Sequence, residues 1–251
     1  MKVYREETGD YAICAASDPG PVKKRNQDYF GIFRPETEQL LSSKGILIAV
    51  ADGMGGLFRG ERASRVMIDS LGELYFNEAG DSEPEEELRR AFLEGNRRVF
   101  RQVGEGMEVT AGTTCTAAIL FPGRATIAHV GDSRAYLIGE RGIRQLTEDH
   151  SREKYVSGIK ENGEEELKRD RRRVMTRSVG VAEEVEPDII SDIEVAAGDH
   201  MILCTDGLFS TVPDGRIAEL ALSGNGCPGL IRDAVSAGGR DNITLIEALK
   251  I

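Results

Sequence analysis

The chain has 251 residues, a formal net charge of −11, 40% hydrophobic residues and no tryptophan. That length supports one large core, and the acidic balance argues against a nucleic-acid binder, because neutralising phosphates takes clustered Lys and Arg. No stretch approaches the roughly 18 consecutive apolar residues that a membrane span requires.

Residues 11–17 read as a first strand and 45–51 as a second, buried one. After a glycine-rich loop, Ala63, Val66, Met67, Leu71, Leu74 and Tyr75 recur at helical spacing. The acidic stretch 81–87 reads as a solvated loop and helix start, with Pro84 near the first turn. Leu88, Ala91, Phe92, Val99, Phe100 and Val103 mark a second amphipathic helix. Residues 114–121 form a strand closed by the Pro122-Gly123 turn signal. Residues 125–130 and 135–138 read as a hairpin around Gly131-Asp132-Ser133-Arg134. Ile217, Leu220 and Ala221 suggest a short helix, as do Leu230, Ile231, Ala234 and Val235, which Gly238-Gly239 stops.

Residues 151–185 differ: Glu, Lys and Arg dominate, Arg171-Arg172-Arg173 among them, and large hydrophobes are few. Such composition predicts a mobile surface insertion in a single domain spanning 1–251. Clustered strands, consecutive helices and hairpin turns favour α+β layers with antiparallel sheets over a regular βαβ wind. Cys14, Cys115, Cys204 and Cys227 are far apart with no Cys-x-x-Cys pair, and Cys115 and Cys204 lie in apolar runs where a free Cys acts as a small hydrophobe. With no apolar signal core at the N-terminus, the expectation is a reduced, cytoplasmic enzyme.

The chemistry lies in the aspartates. Residues 46–51 run into Asp52-Gly53, 201–205 into Asp206-Gly207, and 126–130 into Gly131-Asp132, while Asp241-Asn242 opens the run 243–246. A buried strand ending in an acid places a carboxylate at a sheet edge without burying an unpaired charge. Several such acids, if convergent, make a hard oxygen site for divalent cations. One Asp-Gly alone is usually a turn; its recurrence after a second buried run weakens that reading.

Seven motifs carry a resemblance. Lys23-Lys24-Arg25-Asn26-Gln27-Asp28, Ala51-Asp52-Gly53-Met54-Gly55-Gly56, Gly112-Thr113-Thr114-Cys115-Thr116 and Gly131-Asp132-Ser133-Arg134-Ala135-Tyr136 come first. Leu146-Thr147-Glu148-Asp149-His150-Ser151, Thr205-Asp206-Gly207-Leu208 and Gly239-Arg240-Asp241-Asn242-Ile243-Thr244 follow. In this order they resemble the metal-dependent serine/threonine protein phosphatases of type 2C, the PPM family, in its compact bacterial form. The resemblance implies a four-layer α-β-β-α sandwich of two mainly antiparallel sheets, with two Mn²⁺ or Mg²⁺ ions in a cleft at one end. Asp52 would bridge both metals and Gly53 add its carbonyl; Asp206 and Asp241 would complete the other shell, and Asp28 would act through water. Asp132 would serve a third, weaker metal. Catalysis would rest on Asp52, Asp206 and Asp241, with water attacking phosphorus directly and no phosphoenzyme. Substrates would be proteins phosphorylated on Ser or Thr by a kinase, met by a monomer with neither nucleic-acid nor membrane partners.

Two departures bear on the site. The family usually has Arg where Lys23 stands; Lys keeps the charge but loses the planar fork, so either phosphate affinity falls or Arg25 compensates. Met54 stands where animal members carry a His proposed as the acid. His129 reads as a satisfied structural histidine, His150 as a tie at the base of the insertion, and His200 as a residue preceding a strand. Phe58 breaks the dinucleotide-binding glycine pattern, and Ser133 is not in a nucleophile elbow. The charged insertion, closed by Arg177-Ser178-Val179-Gly180, is expected to be a flap that reads the substrate. A second reading, a catalytically silent binding module, conflicts with the presence of all the metal aspartates.

Overall fold

Residues 46–54 are apolar on both alternating faces until Asp52, and each face finds a different partner. The computed structural model describes residues 1–35, 37–55, 59–77, 83–104, 111–159 and 165–251, with side chains from 153 to 173 set aside. Gly56, Phe58 and Asp81 therefore lie outside the described residues, as do the side chains of Arg171, Arg172 and Arg173.

Strand β4 (Ile46–Met54) turns Leu47, Ala49 and Ala51 toward helices α2 (Arg59–Asn77) and α3 (Pro84–Val99), where Met67, Ile68, Leu71 and Phe92 pack. Its other face, Ile46, Ile48 and Val50, meets Ile13, Ala15, Leu203 and Ile246 of the opposite sheet. A period of two that is apolar on both sides is what a strand sandwiched between layers requires. α3 continues as a short π-helix, Phe100–Gly104.

Two six-stranded sheets result. The first has the order β1-β2-β14-β13-β8-β9: β1 (Lys2–Thr8), β2 (Tyr11–Asp18), β8 (Arg134–Gly139), β9 (Gly142–Gln145), β13 (His200–Cys204) and β14 (Ile243–Lys250). The second has the order β12-β7-β6-β4-β3: β3 (Asp28–Phe33), β6 (Cys115–Phe121), β7 (Arg124–Val130) and β12 (Asp188–Glu194), with the two-residue β5 (Gly112–Thr113) beside β4. The pairings within both are antiparallel. α1 (Glu38–Lys44) precedes β4, and its N-cap Thr37 accepts from the Leu40 amide. α4 (Asp206–Phe209), α5 (Asp214–Leu222) and α6 (Gly226–Ser236) cover the outer face of the first sheet through Leu208, Ile217, Leu220, Leu230 and Ile231. This is the four-layer α-β-β-α arrangement.

Two expectations need correction. Residues 125–130 and 135–138 do not form a hairpin: β7 belongs to one sheet and β8 to the other. The connecting Gly131-Asp132-Ser133 crosses between the layers, because Thr114 Oγ1 and Ser133 Oγ hydrogen-bond at 2.7 Å and hold it at the strand ends. The charged insertion is a two-stranded antiparallel ribbon, β10 (Ser151–Ile159) with β11 (Glu165–Met175), which satisfies its backbone without needing a core. Beyond the ribbon the chain touches the core at Val179 and Gly180 before residues 181–184 return to the surface. Val179 is fully buried and exchanges backbone hydrogen bonds with Thr113, and buried Asn96 of α3 accepts from the Gly180 amide at 2.7 Å.

Candidate active site

Five aspartates from both sheets meet at one end of the sandwich. Asp28 opens β3 and lies directly across from Asp52 on β4. Asp206 follows β13, Asp241 precedes β14, and Asp132 sits on the crossing between β7 and β8. The fields of Asp28, Asp132, Asp206 and Asp241 all bear on Asp52.

The Asp52 backbone is pinned by the Gly112-Thr113-Thr114 segment. Thr113 Oγ1 and the Thr114 amide each donate to the Asp52 carbonyl at 2.9 Å, and the Asp52 amide donates to Thr114 Oγ1 at 2.9 Å. Gly53 is required for close approach: a Cβ there would lie 2.1 Å from the Gly60 carbonyl oxygen and 2.6 Å from that of Gln27. Gly207 has the same role in the second Asp-Gly pair, where a Cβ would lie 1.9 Å from the Asn242 carbonyl oxygen. This close contact holds the Asp206 and Asp241 segments side by side.

The segment bearing Lys23, Arg25 and Asp28 is latched from two sides. Asn242 Oδ1 accepts from the Gln27 amide at 2.8 Å, and Asn242 Nδ2 donates to the carbonyls of Pro19 and Arg25 at 2.9 and 2.8 Å. Gln27 Nε2 donates to the Gly55 carbonyl at 2.9 Å, and Ser64 Oγ donates to the Gln27 carbonyl at 2.6 Å. Thr205 Oγ1 donates to Asp28 Oδ2 at 2.8 Å. Sequence reasoning missed Gln27, Thr113, Thr114, Thr205 and Asn242 as contributors, although each stands inside a quoted motif beside an aspartate.

The electrostatics are those of an under-neutralised acidic cleft. Burial pushes the Asp28 carboxyl up to about 7, against hydrogen bonds from Thr205 and Thr244. Burial, then the field of Asp28 and the other carboxylates, holds Asp52 well above its usual range. Burial and the field of Asp132 push Asp206 up to about 7, with Lys23 opposing. Lys23 Nζ lies 2.9 Å from Asp241 Oδ1, and both side chains are about two-fifths exposed. Arg25 lines a cavity of about 440 Å³ together with Asp28, Tyr29, Glu61 and Arg65.

The donor set fits divalent cations. Two carboxylates 4 Å apart repel by about 4 kcal/mol at an effective dielectric of 20, and the Lys23 ammonium beside Asp241 offsets only part of such repulsion. Asp206 Oδ1 is buried without a hydrogen-bond partner, a costly state for a carboxylate oxygen unless a cation meets it. An all-oxygen set selects Mg²⁺ or Mn²⁺ over softer metals. Among the described residues no three His, Cys, Asp or Glu groups are closed to ligand spacing.

The histidines stand apart from this cluster. His129 is buried; its Nε2 is 3.0 Å from the Glu148 carbonyl oxygen, which can only accept, so Nδ1 accepts from Thr116 Oγ1 at 2.9 Å. His150 Nδ1 accepts from the Gly131 amide at 3.1 Å, so Nε2 donates to Asp188 at 3.0 Å. The His150 carbonyl accepts from the Thr176 amide at 2.9 Å, so this residue does tie the base of the ribbon to the Asp132 crossing.

A two-sheet sandwich with a convergent oxygen-donor cleft defines the class of binuclear metal phosphatases. The family model described as protein phosphatase 2C matches residues 22–223. The serine/threonine phosphatase stp of Listeria monocytogenes is 32% identical over 242 residues, 92% of each chain. The PPM Ser-Thr phosphatase MsPP from Mycobacterium smegmatis, solved in complex with cacodylate, superposes with a TM-score of 0.73 at 28% identity, covering 94% of this chain and 97% of that one. The catalytic domain of the serine threonine protein phosphatase PstP, solved with 2 manganese ions, gives 0.69 at 30% identity, covering 95% and 97%. The chain belongs to the protein phosphatase 2C family.

Proposed function

We propose that this protein is a metal-dependent serine/threonine phosphatase that hydrolyses phosphoserine and phosphothreonine on proteins. The observation that carries the reading is the meeting of Asp28, Asp52, Asp132, Asp206 and Asp241 at one end of the sandwich, with a buried Asp206 oxygen left unpartnered. When bound, two Mn²⁺ or Mg²⁺ ions supply Lewis-acid polarisation of water and of the phosphoryl oxygens. Asp52 and the Gly53 carbonyl would hold them with Asp206 and Asp241, Asp28 would act through water, and Asp132 would favour a third, weaker ion. Thr205 fixes which Asp28 oxygen faces the cleft by occupying the other one. Lys23, half-exposed beside Asp241, has only to rotate its side chain to meet a phosphoryl oxygen.

We read the substrates as products of a serine/threonine kinase, met by a cytoplasmic monomer. Among the described residues no helix is long and apolar enough to cross a membrane. The test is phosphate release from a phosphothreonine peptide with Mn²⁺, Mg²⁺ or EDTA, beside Asp206→Ala. Release that needs metal and is abolished by the substitution supports the reading. A folded, Mn²⁺-binding protein that releases nothing would overturn it.

A further inference from the structure

Cys14 and Cys227 are separated by 213 positions in sequence, yet the Cys227 Sγ lies 2.9 Å from the Cys14 carbonyl oxygen. The antiparallel register explains the encounter. Arg5 on β1 and Glu247 on β14 are the direct neighbours of Cys14 on β2, so all three side chains share the sheet face that α6 covers. Cys227 stands in the first turn of α6, directly over that row.

The surroundings favour thiol chemistry. Cys14 lines a cavity of about 320 Å³ together with Arg5, Glu7, His200 and Glu247, and none of the five aspartates lines it. Cys14 is partly exposed and Cys227 is buried, so one sulfur is open to a small reagent and the other is shielded behind it. Hydrogen bonds from the Cys227 thiol and then from the Arg5 guanidinium lower the Cys14 thiol to about 7, against burial. Burial and its thiol partner push Cys227 up. An accessible thiolate backed by a protonated neighbour is the usual arrangement of an attacking and a resolving cysteine. Cys115 and Cys204 are fully buried in their strands, with thiols that burial alone holds well above the usual range for Cys115 and chiefly so for Cys204.

We propose that Cys14 and Cys227 form a peroxide-responsive thiol pair that closes to an intramolecular disulfide between β2 and α6. The Cys14 thiolate attacks one peroxide oxygen: an S–O bond forms, the O–O bond breaks, and hydroxide leaves. The Cys227 sulfur attacks the resulting sulfenic sulfur: the S–S bond forms, the S–O bond breaks, and the hydroxide leaves as water with the Cys227 proton. Two thiols lose two electrons, and one hydrogen peroxide becomes two waters. The link ties β2, whose end leads into the Lys23 segment, to α6, whose end leads into Asp241.

The test is treatment of the full chain with hydrogen peroxide, followed by alkylation under native conditions, digestion and mass mapping. The expected product is one peptide pair joining Cys14 to Cys227, reversed by dithiothreitol, with Cys115 and Cys204 alkylated only after unfolding. Oxidation should raise the melting temperature by on the order of 5 °C, and Cys14→Ser and Cys227→Ser should each remove that rise. In Cys227→Ser, Cys14 should accumulate as a sulfenic acid trapped by dimedone. If Cys227→Ser does not fold, the wild-type peptide map alone decides. Oxidation of Cys14 to sulfinic acid without a link, a link between two chains, or reaction at Cys115 before Cys14 would each overturn the proposal.

Discussion

Thr205 Oγ1 donates to Asp28 Oδ2 at 2.8 Å and accepts from the Thr244 amide at 3.0 Å. One hydroxyl thus joins the end of β13 in the first sheet to the first residue of β3 in the second, at the mouth of the acidic cleft. Thr205 is fully buried, so its loss leaves the Thr244 amide unpaired and removes one of the hydrogen bonds that hold the Asp28 carboxylate. Thr205→Val keeps the shape and should cost about 1–3 kcal/mol of stability, with a higher Mn²⁺ concentration for half-maximal phosphate release. Thr205→Ser should restore both. Urea unfolding and a Mn²⁺ titration of activity check this; a Val variant with an unchanged titration would reduce Thr205 to packing.

Lys23 has two possible partners, the Asp241 carboxylate it now meets and a substrate phosphoryl group. Removing its charge should raise KM for a phosphopeptide about tenfold, the scale of one charge-assisted hydrogen bond. The same change frees Asp241, so Lys23→Met should need less Mn²⁺ for half-saturation. Lys23→Arg should lower KM below wild type, because the planar fork grips two phosphoryl oxygens. Arg25→Ala is the comparison. A KM rise in that variant alone, with Lys23→Met unchanged, would move the phosphate grip to Arg25.

Parts of this architecture were legible in the chain because they depend on local pattern. β4 was readable as a buried strand delivering Asp52, and α2 and α3 from apolar residues at helical spacing. The crossing at Gly131-Asp132-Ser133 was not, since two apolar runs joined by a short turn read alike whether the strands pair or part. β3 was missed because it is short and begins within a motif rich in polar residues. The aspartates announced themselves by position after buried runs. Their latches did not, because Asn242 meets Gln27 and Thr205 meets Asp28 across 215 and 177 positions. The Cys14–Cys227 encounter is hidden for the same reason.

His129 predicts an acid sensitivity with a defined sign. Burial and then the neighbouring His150 lower its pKa to about 4, from an ordinary value of 6.5. The unfolded chain therefore takes up the proton first as pH falls. The stability from the neutral ring is complete above pH 6.5 and is lost progressively as pH falls toward 4; about 2 kcal/mol is gone by pH 5. The raised carboxyls of Asp28, Asp52 and Asp206 act with the opposite sign, so the observable is the difference between wild type and His129→Gln. The variant should be less stable at pH 7.5, yet lose less between pH 7.5 and 5. Urea midpoints at the two pH values decide, and parallel losses would mean that folding leaves the His129 pKa where it is in the unfolded chain.

The ribbon predicts a separation of two activities. Among the described residues β10 and β11 pair only with each other, and at the base of the ribbon the Thr176 amide is held by the His150 carbonyl. The core resumes at Val179. Replacing residues 152–174 with a short Gly-Ser turn between Ser151 and Met175, which already face each other across the ribbon, should leave the fold intact. Hydrolysis of a small aryl phosphate should persist within about threefold, the scatter of a surface change, while turnover of a phosphorylated protein should fall by at least about tenfold through KM. Steady-state kinetics on the two substrates, with a melting curve for each protein, separate the outcomes. Equal loss on both substrates in a well-folded variant would show that the ribbon supports the metal cleft and does not read the substrate.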